Sequence, residues 1–331
     1  MPKPTLKTIA ALSGMAVPTV SRALSDAPDI SAATKAKVRK IADDIGYVPN
    51  RAGVRLRTGR TNVISLVMST ENEIMNMTAR LTASIANGLR GTPYHLNLKH
   101  FFPGDDPMVP IRYIVETGAA DAVIFNAVQP DDPRVEYLVA KEFPFAMHGR
   151  SQLTERQANF DYDNDAFAQL AVETLAARGR RNLLLIPPPI NQFYSQQIVK
   201  GAKAACSRNK IRLIIAEGVT SDSPIDEVLG FTASVLVSNP DIDGILTAAP
   251  NAAMAATAGL EKVGRTIGQD IDLVAKDAIT FLKLFRTEMI IIREDVALAG
   301  EFLAKSAIHA IRSPLEPRMR YLDTPSKIFR S

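Results

Sequence analysis

The sequence predicts a three-helix, helix-turn-helix head, a short basic segment that is a linker or a helix, and an α/β body of two lobes built on parallel sheets. Three observations lead there. Of the 331 residues, the first sixty carry 11 Lys and Arg against 4 Asp and Glu, whereas the rest carry 28 against 31. Three short apolar stripes at helical spacing occur before residue 46. Beyond residue 62, strand-like and helix-like runs alternate.

The first helix lies in "TLKTIAALSG". Thr5 caps it, Leu6, Ile9, Ala10 and Ser13 form its inner face, and Gly14 ends it. The second is Val17–Leu24, "VPTVSRAL". Proline is tolerated in a first turn because its missing N–H would have no partner there, so Pro18 marks a beginning. Val20, Ala23 and Leu24 give the apolar stripe; Val17, Pro18, Ser21 and Arg22 face elsewhere. The third helix starts at the cap Ser31, carries Val38, Ile41, Ala42 and Ile45, and stops at Gly46. Three such helices enclose one small core, and the second projects its polar face outward as a DNA-reading helix does. The basic excess of this segment is the footprint of a phosphate-backbone binder.

Asn50 can cap a short helix over Ala52–Leu56 within "NRAGVRLRTGRTN". Gly53 costs it about 1 kcal/mol relative to Ala, and an isolated helix this short is marginal in water.

In the body, strands are expected at Val63–Ser69, His95–Phe101, Ala122–Asn126, Pro144–His148, Asn182–Ile186, Ile211–Ala216, Gly244–Ala248, Ile271–Ala275 and Met289–Ile292. Helices fill most gaps, for example Ala166–Arg178 and Glu294–Arg312. The nine strands divide into two lobes near Asp161. Ligands of such sheets bind beyond the carboxyl ends of the strands, and the crevice between two lobes is the default pocket. Polar residues cluster at those ends: Ser69, Glu71, Asn126, His148, Arg150, Tyr194, Gln197, Asn251 and Asp277. Amides, carboxylates and guanidinium groups match pairs of sugar hydroxyls.

Other classes find little support. One cysteine, Cys206, excludes a disulfide framework and fits a reducing compartment. "MPKPTLK" is no signal peptide, and no apolar run has membrane-spanning length. His95, His100, His148 and His309 are scattered, with no metal-ligand spacing, P-loop or nucleophile elbow, so no catalytic residue, metal or cofactor is expected.

The runs T-V-S-R-A-L (19–24), I-G-Y-V-P-N (45–50) and L-R-T-G-R-T-N (56–62) resemble the LacI/GalR family of bacterial transcription regulators from Thr5 through Val67, with weaker echoes to the C-terminus. The resemblance implies a helix-turn-helix head over 1–49, a hinge helix over 50–61 and a periplasmic-binding-protein-like core over 62–331. Its N-lobe would take about 62–161 and 293–321, and its C-lobe about 162–292 and 322–331. Val17, Pro18 and Arg22 would face bases in the major groove, with Arg22 suited to guanine. Thr5, Leu6, Thr19, Ser21, Ser31, Thr34, Tyr47 and Asn50 would bind phosphates or position the head. The hinge would order on DNA and pair with its twin, inserting Leu56 into the minor groove beside Arg51 and Arg55.

The resemblance therefore implies a cytoplasmic, homodimeric repressor of carbohydrate genes. It would bind a pseudo-palindromic duplex operator and a sugar effector of either sign. A solute-binding protein and, more distantly, a sugar-metabolising enzyme are the alternatives. Departures from the family are Ala16 for a capping Ser, Thr8 for an acid, Ile198 for a ligand-clamping Arg, and Lys276 for the aromatic of a G-[FY]-D-D stretch that is "VAKDA" here.

Overall fold

The computed structural model describes residues 3–48, 53, 55, 59–69, 77–102, 104–153, 157–277, 281–325 and 328–329. The chain divides into two compact units, Met1–Thr61 and Asn62–Ser331.

The first unit holds α1 (Leu6–Ser13), α2 (Val17–Leu24) and α3 (Ala32–Asp44). Thr5 and Thr8 exchange capping bonds at the start of α1: the Thr8 N–H donates to Thr5 Oγ1 and the Thr5 N–H to Thr8 Oγ1. Thr8 thus closes a capping box of the kind an acid at N3 ordinarily completes. Gly14, at φ 72°, ends α1 in the left-handed region that favours glycine. Ala16 gives α2 no side-chain cap, and Pro18 sits in its first turn. Ser31 caps α3 by accepting from the Thr34 N–H at 3.2 Å. Ile9, Val20, Ala23, Val38 and Ala42 form the core, with Leu6, Leu24, Ile41, Ile45 and Tyr47 packed around it.

Of the expected hinge, Gly53 and Arg55 are helical, and the Gly59 N–H donates to the Arg55 carbonyl at 2.8 Å. Asn50, Arg51, Ala52 and Leu56 lie outside the described residues.

The second unit contains two six-stranded sheets. One is ordered β11-β5-β4-β3-β1-β2, from β1 (Val63–Ser69), β2 (His95–Phe101), β3 (Ala122–Phe125), β4 (Phe145–His148), β5 (Ala158–Tyr162) and β11 (Arg320–Asp323). The other is ordered β12-β10-β9-β8-β6-β7, from β6 (Asn182–Ile186), β7 (Arg212–Ile215), β8 (Gly244–Thr247), β9 (Asp272–Asp277), β10 (Ile290–Arg293) and β12 (Ile328–Phe329). Among the described residues, all strand pairings are parallel except β10 with β12. Strands buried on both faces read as continuous apolar runs, as "VISLVM" and "NLLLI" do. The chain passes between the sheets after β5, after β10 and after β11.

The helices are α4 (Met77–Gly88), α5 (Met108–Thr117), α6 (Pro133–Ala140), α7 (Asn164–Ala177), α8 (Phe193–Asn209), α9 (Ile225–Ser238), α10 (Pro250–Lys262), α11 (Phe281–Phe285) and α12 (Val296–Arg312). Each sheet has an apolar core on both faces. Two helices differ from expectation at their starts. Asp163 caps α7 through the Ala166 N–H, so that helix begins at Asn164 rather than Ala166. Asp295 caps α12 through the N–H groups of Ala297 and Leu298, which leaves Glu294 outside the helix. Among the described residues, no helix is long and apolar enough to cross a membrane.

Candidate functional site

Between the carboxyl ends of the two sheets lies a cleft of about 1300 Å³, counting its open mouth. Crevices at strand carboxyl ends are where open α/β sheets take ligands. One wall is built from Ser69 at the end of β1, Asn126 after β3, His148 at the end of β4 and Arg150 just after it, and Asp161 and Tyr162 at the end of β5. The other carries Gln192 and Tyr194 before and in α8, Ser221 and Asp222 after β7, Asn251 in α10, and Lys276 in β9.

Six of the residues expected at the strand ends line this cleft: Ser69, Asn126, His148, Arg150, Tyr194 and Asn251. Gln197 stands behind Arg150, only 8% exposed. With its amide oxygen turned toward the guanidinium, it accepts from Arg150 Nε at 2.9 Å and from Nη2 at 2.5 Å. Asp277, also expected there, is fully buried and is not among the described residues that line the cleft; its Oδ2 accepts the Leu282 N–H at 3.3 Å. Alternate side chains of a strand point to opposite faces, so it is Lys276 that faces the cleft. Glu71 lies outside the described residues. Asp161, Tyr162, Asn164, Asp222, Lys276 and Glu294 were not anticipated as lining. The stretches "FDYDN" (160–164) and "VAKDA" (274–278) hold four of them.

Lys276 and Arg150 each stand against a carboxylate. Lys276 Nζ lies 2.8 Å from Glu294 Oε2 and donates to Asn164 Oδ1 at 3.2 Å. The same ammonium lies 5.2 Å from the Tyr162 ring centre and 5.5 Å from that of Tyr194, within cation–π range. His148 Nε2 is 3.4 Å from Glu294 Oε1, so this one carboxylate meets a residue of each wall. Burial pushes the Glu294 carboxyl up, but Lys276 and His148 outweigh it and hold the group at about 2.

Arg150 Nε is 2.8 Å from Asp161 Oδ2. The contact has ion-pair distance without hydrogen-bond geometry, because the Nε–H is directed to Gln197, and Oδ2 finds no donor among the described residues. Burial, opposed by Arg150 and His148, raises the Asp161 carboxyl to about 6. Burial and the nearby Glu294 raise the Tyr162 phenol, whose hydroxyl donates to the Arg293 carbonyl at 3.2 Å.

Among the described residues, no His, Cys, Asp and Glu group could hold a metal ion. Cys206 is buried, and burial pushes its thiol up to about 11, which suits packing rather than reaction.

In the first unit, Thr5, Pro18, Arg22 and Ser31 are exposed, and Val17, Thr19, Ser21 and Thr34 partly so. Leu6 and Tyr47 pack against the small core, which suits positioning the head more than contacting DNA. Arg22 forms an ion pair with Asp29 at 2.5 Å. Both side chains are about half exposed, at 57% and 48%, and exposed pairs are worth little, so the guanidinium is available to a stronger partner.

Comparison with known proteins assigns both units. The model of bacterial regulatory proteins, lacI family, matches residues 5–50. That of periplasmic binding proteins and the sugar binding domain of the LacI family matches residues 104–300. The HTH-type transcriptional regulator AglR of Rhizobium meliloti (strain 1021) is 30% identical over 314 residues, covering 92% of this chain and 87% of that protein. The structure of the Lac repressor dimer bound to operator and the anti-inducer ONPF is similar at a TM-score of 0.84 and 18% identity, covering 99% of this chain and 98% of that one. The CelR–cellobiose complex is similar at a TM-score of 0.72 and 22% identity, over 99% and 98% of the two chains. A helix-turn-helix head, a two-sheet body with a polar crevice, and a relative matching along nearly the whole length have one common explanation: the chain belongs to the LacI family of bacterial regulatory proteins, which are DNA-binding transcriptional regulators and not enzymes.

Proposed function

We propose that this regulator is a cytoplasmic homodimeric repressor that reads a pseudo-palindromic operator with α2 and answers to a sugar held in the cleft. The cleft carries the reading: two walls, at the carboxyl ends of two parallel sheets, present Arg150, Lys276, Asn126, Asn251 and Asp222 to one space. Planar amides, carboxylates and cationic donors are what a polyhydroxylated ligand needs. The match to a sugar-binding domain and the solved complex of CelR with cellobiose support the same class. Val17, Pro18 and Arg22 take the base-facing positions, Thr5, Thr19, Ser21, Ser31 and Thr34 the phosphate side, and Arg51, Arg55 and Leu56 the hinge. A two-fold dimer calls for a two-fold operator, with half-sites about one helical turn apart or a multiple of it. Sugar binding alters operator affinity because the two lobe arrangements differ in affinity for it.

Arg22→Ala tests the head. It is expected to weaken binding to the preferred duplex by about 1–3 kcal/mol and to relax preference at one base pair per half-site. The measurement is affinity for the preferred duplex, its single-base variants and random DNA at one salt concentration. Equal loss on all of them would make Arg22 a phosphate contact and take base reading away from it.

A further inference from the structure

We infer that the cleft selects an uncharged polyol and rejects its phosphorylated or acidic counterpart, with Glu294 as the residue that sets this preference. The inference rests on the saccharide reading of the cleft and narrows it to one electrostatic class.

Among the described residues, the cleft's two permanent cations are each committed to a buried carboxylate. Lys276 Nζ stands 2.8 Å from Glu294 Oε2, with side chains 12% and 3% exposed. Arg150 Nε stands 2.8 Å from Asp161 Oδ2, with side chains 29% and 4% exposed. A third carboxylate, Asp222, lines the opposite wall and accepts the Ser221 hydroxyl at 2.8 Å. Two cations against three carboxylates leave the described lining net negative when His148 is neutral. Glu294 is ionised throughout the neutral range, since Lys276 and His148 overcome its burial.

An anionic ligand entering here would have to draw Lys276 from Glu294 or Arg150 from Asp161. Either move strands a buried carboxylate, and separating such a pair costs far more than an exposed pair returns. A hydroxyl breaks neither pair. It donates to carboxylate lone pairs while accepting an N–H from the ammonium or guanidinium, so it joins the network as both donor and acceptor. The needs of the site have that polarity. Asp161, Asp222 and Glu294 line the cleft as acceptors, and a hydroxyl brings a donor where a phosphate or carboxylate brings another acceptor. Lys276 uses two of its three N–H donors on Glu294 and Asn164, which leaves one for a ligand oxygen.

The test is calorimetric titration of the full chain with glucose, galactose, maltose and cellobiose, and with glucose 6-phosphate, galacturonate, maltose 6-phosphate and cellobiose 6-phosphate. At least one neutral member is expected to bind, with its anionic counterpart roughly 100-fold weaker, the penalty of leaving a buried group unpartnered. Glu294→Gln is expected to free Lys276 and narrow that gap at least about tenfold. Should Glu294→Gln fail to fold, Asp222→Asn, which removes the third carboxylate, is expected to narrow it in the same direction.

Anionic members binding as well as or better than neutral ones would overturn this inference and leave the saccharide reading standing. A gap unchanged in the variant would overturn the role given to Glu294. No binding by any of the eight would remove the saccharide reading itself, and the inference with it.

Discussion

Arg150→Ala is expected to weaken saccharide binding about 100-fold, the scale of removing the cation that stands against a buried carboxylate. Arg150 is the cationic group reaching the cleft from the β4–β5 connection, and it is held on two sides. Asp161 lies 2.8 Å from its Nε, and Gln197, on α8 of the other sheet's lobe, accepts from Nε and Nη2. Removing the side chain therefore costs the ligand a planar donor and breaks a link between the lobes. Arg150→Lys is expected to recover little, because an ammonium cannot serve Asp161 and Gln197 with the geometry of a guanidinium fork.

The same variant carries a pH signature. Burial already raises the Asp161 carboxyl to about 6 with Arg150 in place. Without Arg150 it rises further, so the folded state holds its proton to higher pH. A carboxyl whose folded pKa exceeds its unfolded one loses stability as pH rises through the folded value. The stability loss of Arg150→Ala should accordingly be small near pH 5 and larger at pH 8. Thermal midpoints at the two pH values check this, and a loss independent of pH would contradict the placement of Asp161 against Arg150.

Gly300→Val is expected to destabilise the second unit by about 3 kcal/mol, at the upper end of ordinary overpacking. In a body of this size that corresponds to about 6–12 °C in thermal midpoint. Gly300, in α12, faces α4 so closely that an added Cβ would collide with Ser84 Oγ and lie 2.7 Å from the Ile85 backbone nitrogen. Ser84 cannot yield freely, because its hydroxyl donates to the carbonyls of Leu81 and Val296. The contact continues at Gly88, where a Cβ would come within 2.8 Å of Ala304 Cβ. Gly230 supplies the contrast: it lies in α9 with nothing within 4 Å of a built Cβ. Gly230→Ala is expected to be neutral or to stabilise by about 0.5–1 kcal/mol through helix propensity and a less free unfolded chain. Equal midpoints for the two variants would refute the close approach of α4 and α12.

The legible parts of the sequence were those where one physical rule dominates. The capped stripes of α1 and α3, the proline in the first turn of α2, and the apolar runs of β1, β3, β6 and β8 each follow from local pattern. β5 was not legible, because "ANFDY" alternates Asn159 and Asp161 with apolar residues and yet is buried throughout. Asp161 lies against Arg150, a tertiary partner that no local pattern announces. The cleft was legible as a location and less so as a residue set. Asp277 and Lys276 are adjacent, and a shift of one residue along a strand exchanges the faces. Glu294 read as the first residue of a helix, whereas the cap at Asp295 places it in the connection between the lobes, against His148 and Lys276.

A neutral sugar in the cleft is expected to govern how the head holds DNA. The direct measurement is the affinity of the full chain for a pseudo-palindromic duplex, selected by the chain from a randomised library. It is taken at one salt concentration while the binding sugar from the calorimetric panel is titrated. Affinity for the selected duplex is expected to change by about 5–150-fold as the cleft fills, the range of ordinary allosteric coupling, while affinity for random DNA barely moves. Affinity for the selected duplex that stays constant while calorimetry shows the cleft saturated would contradict that expectation.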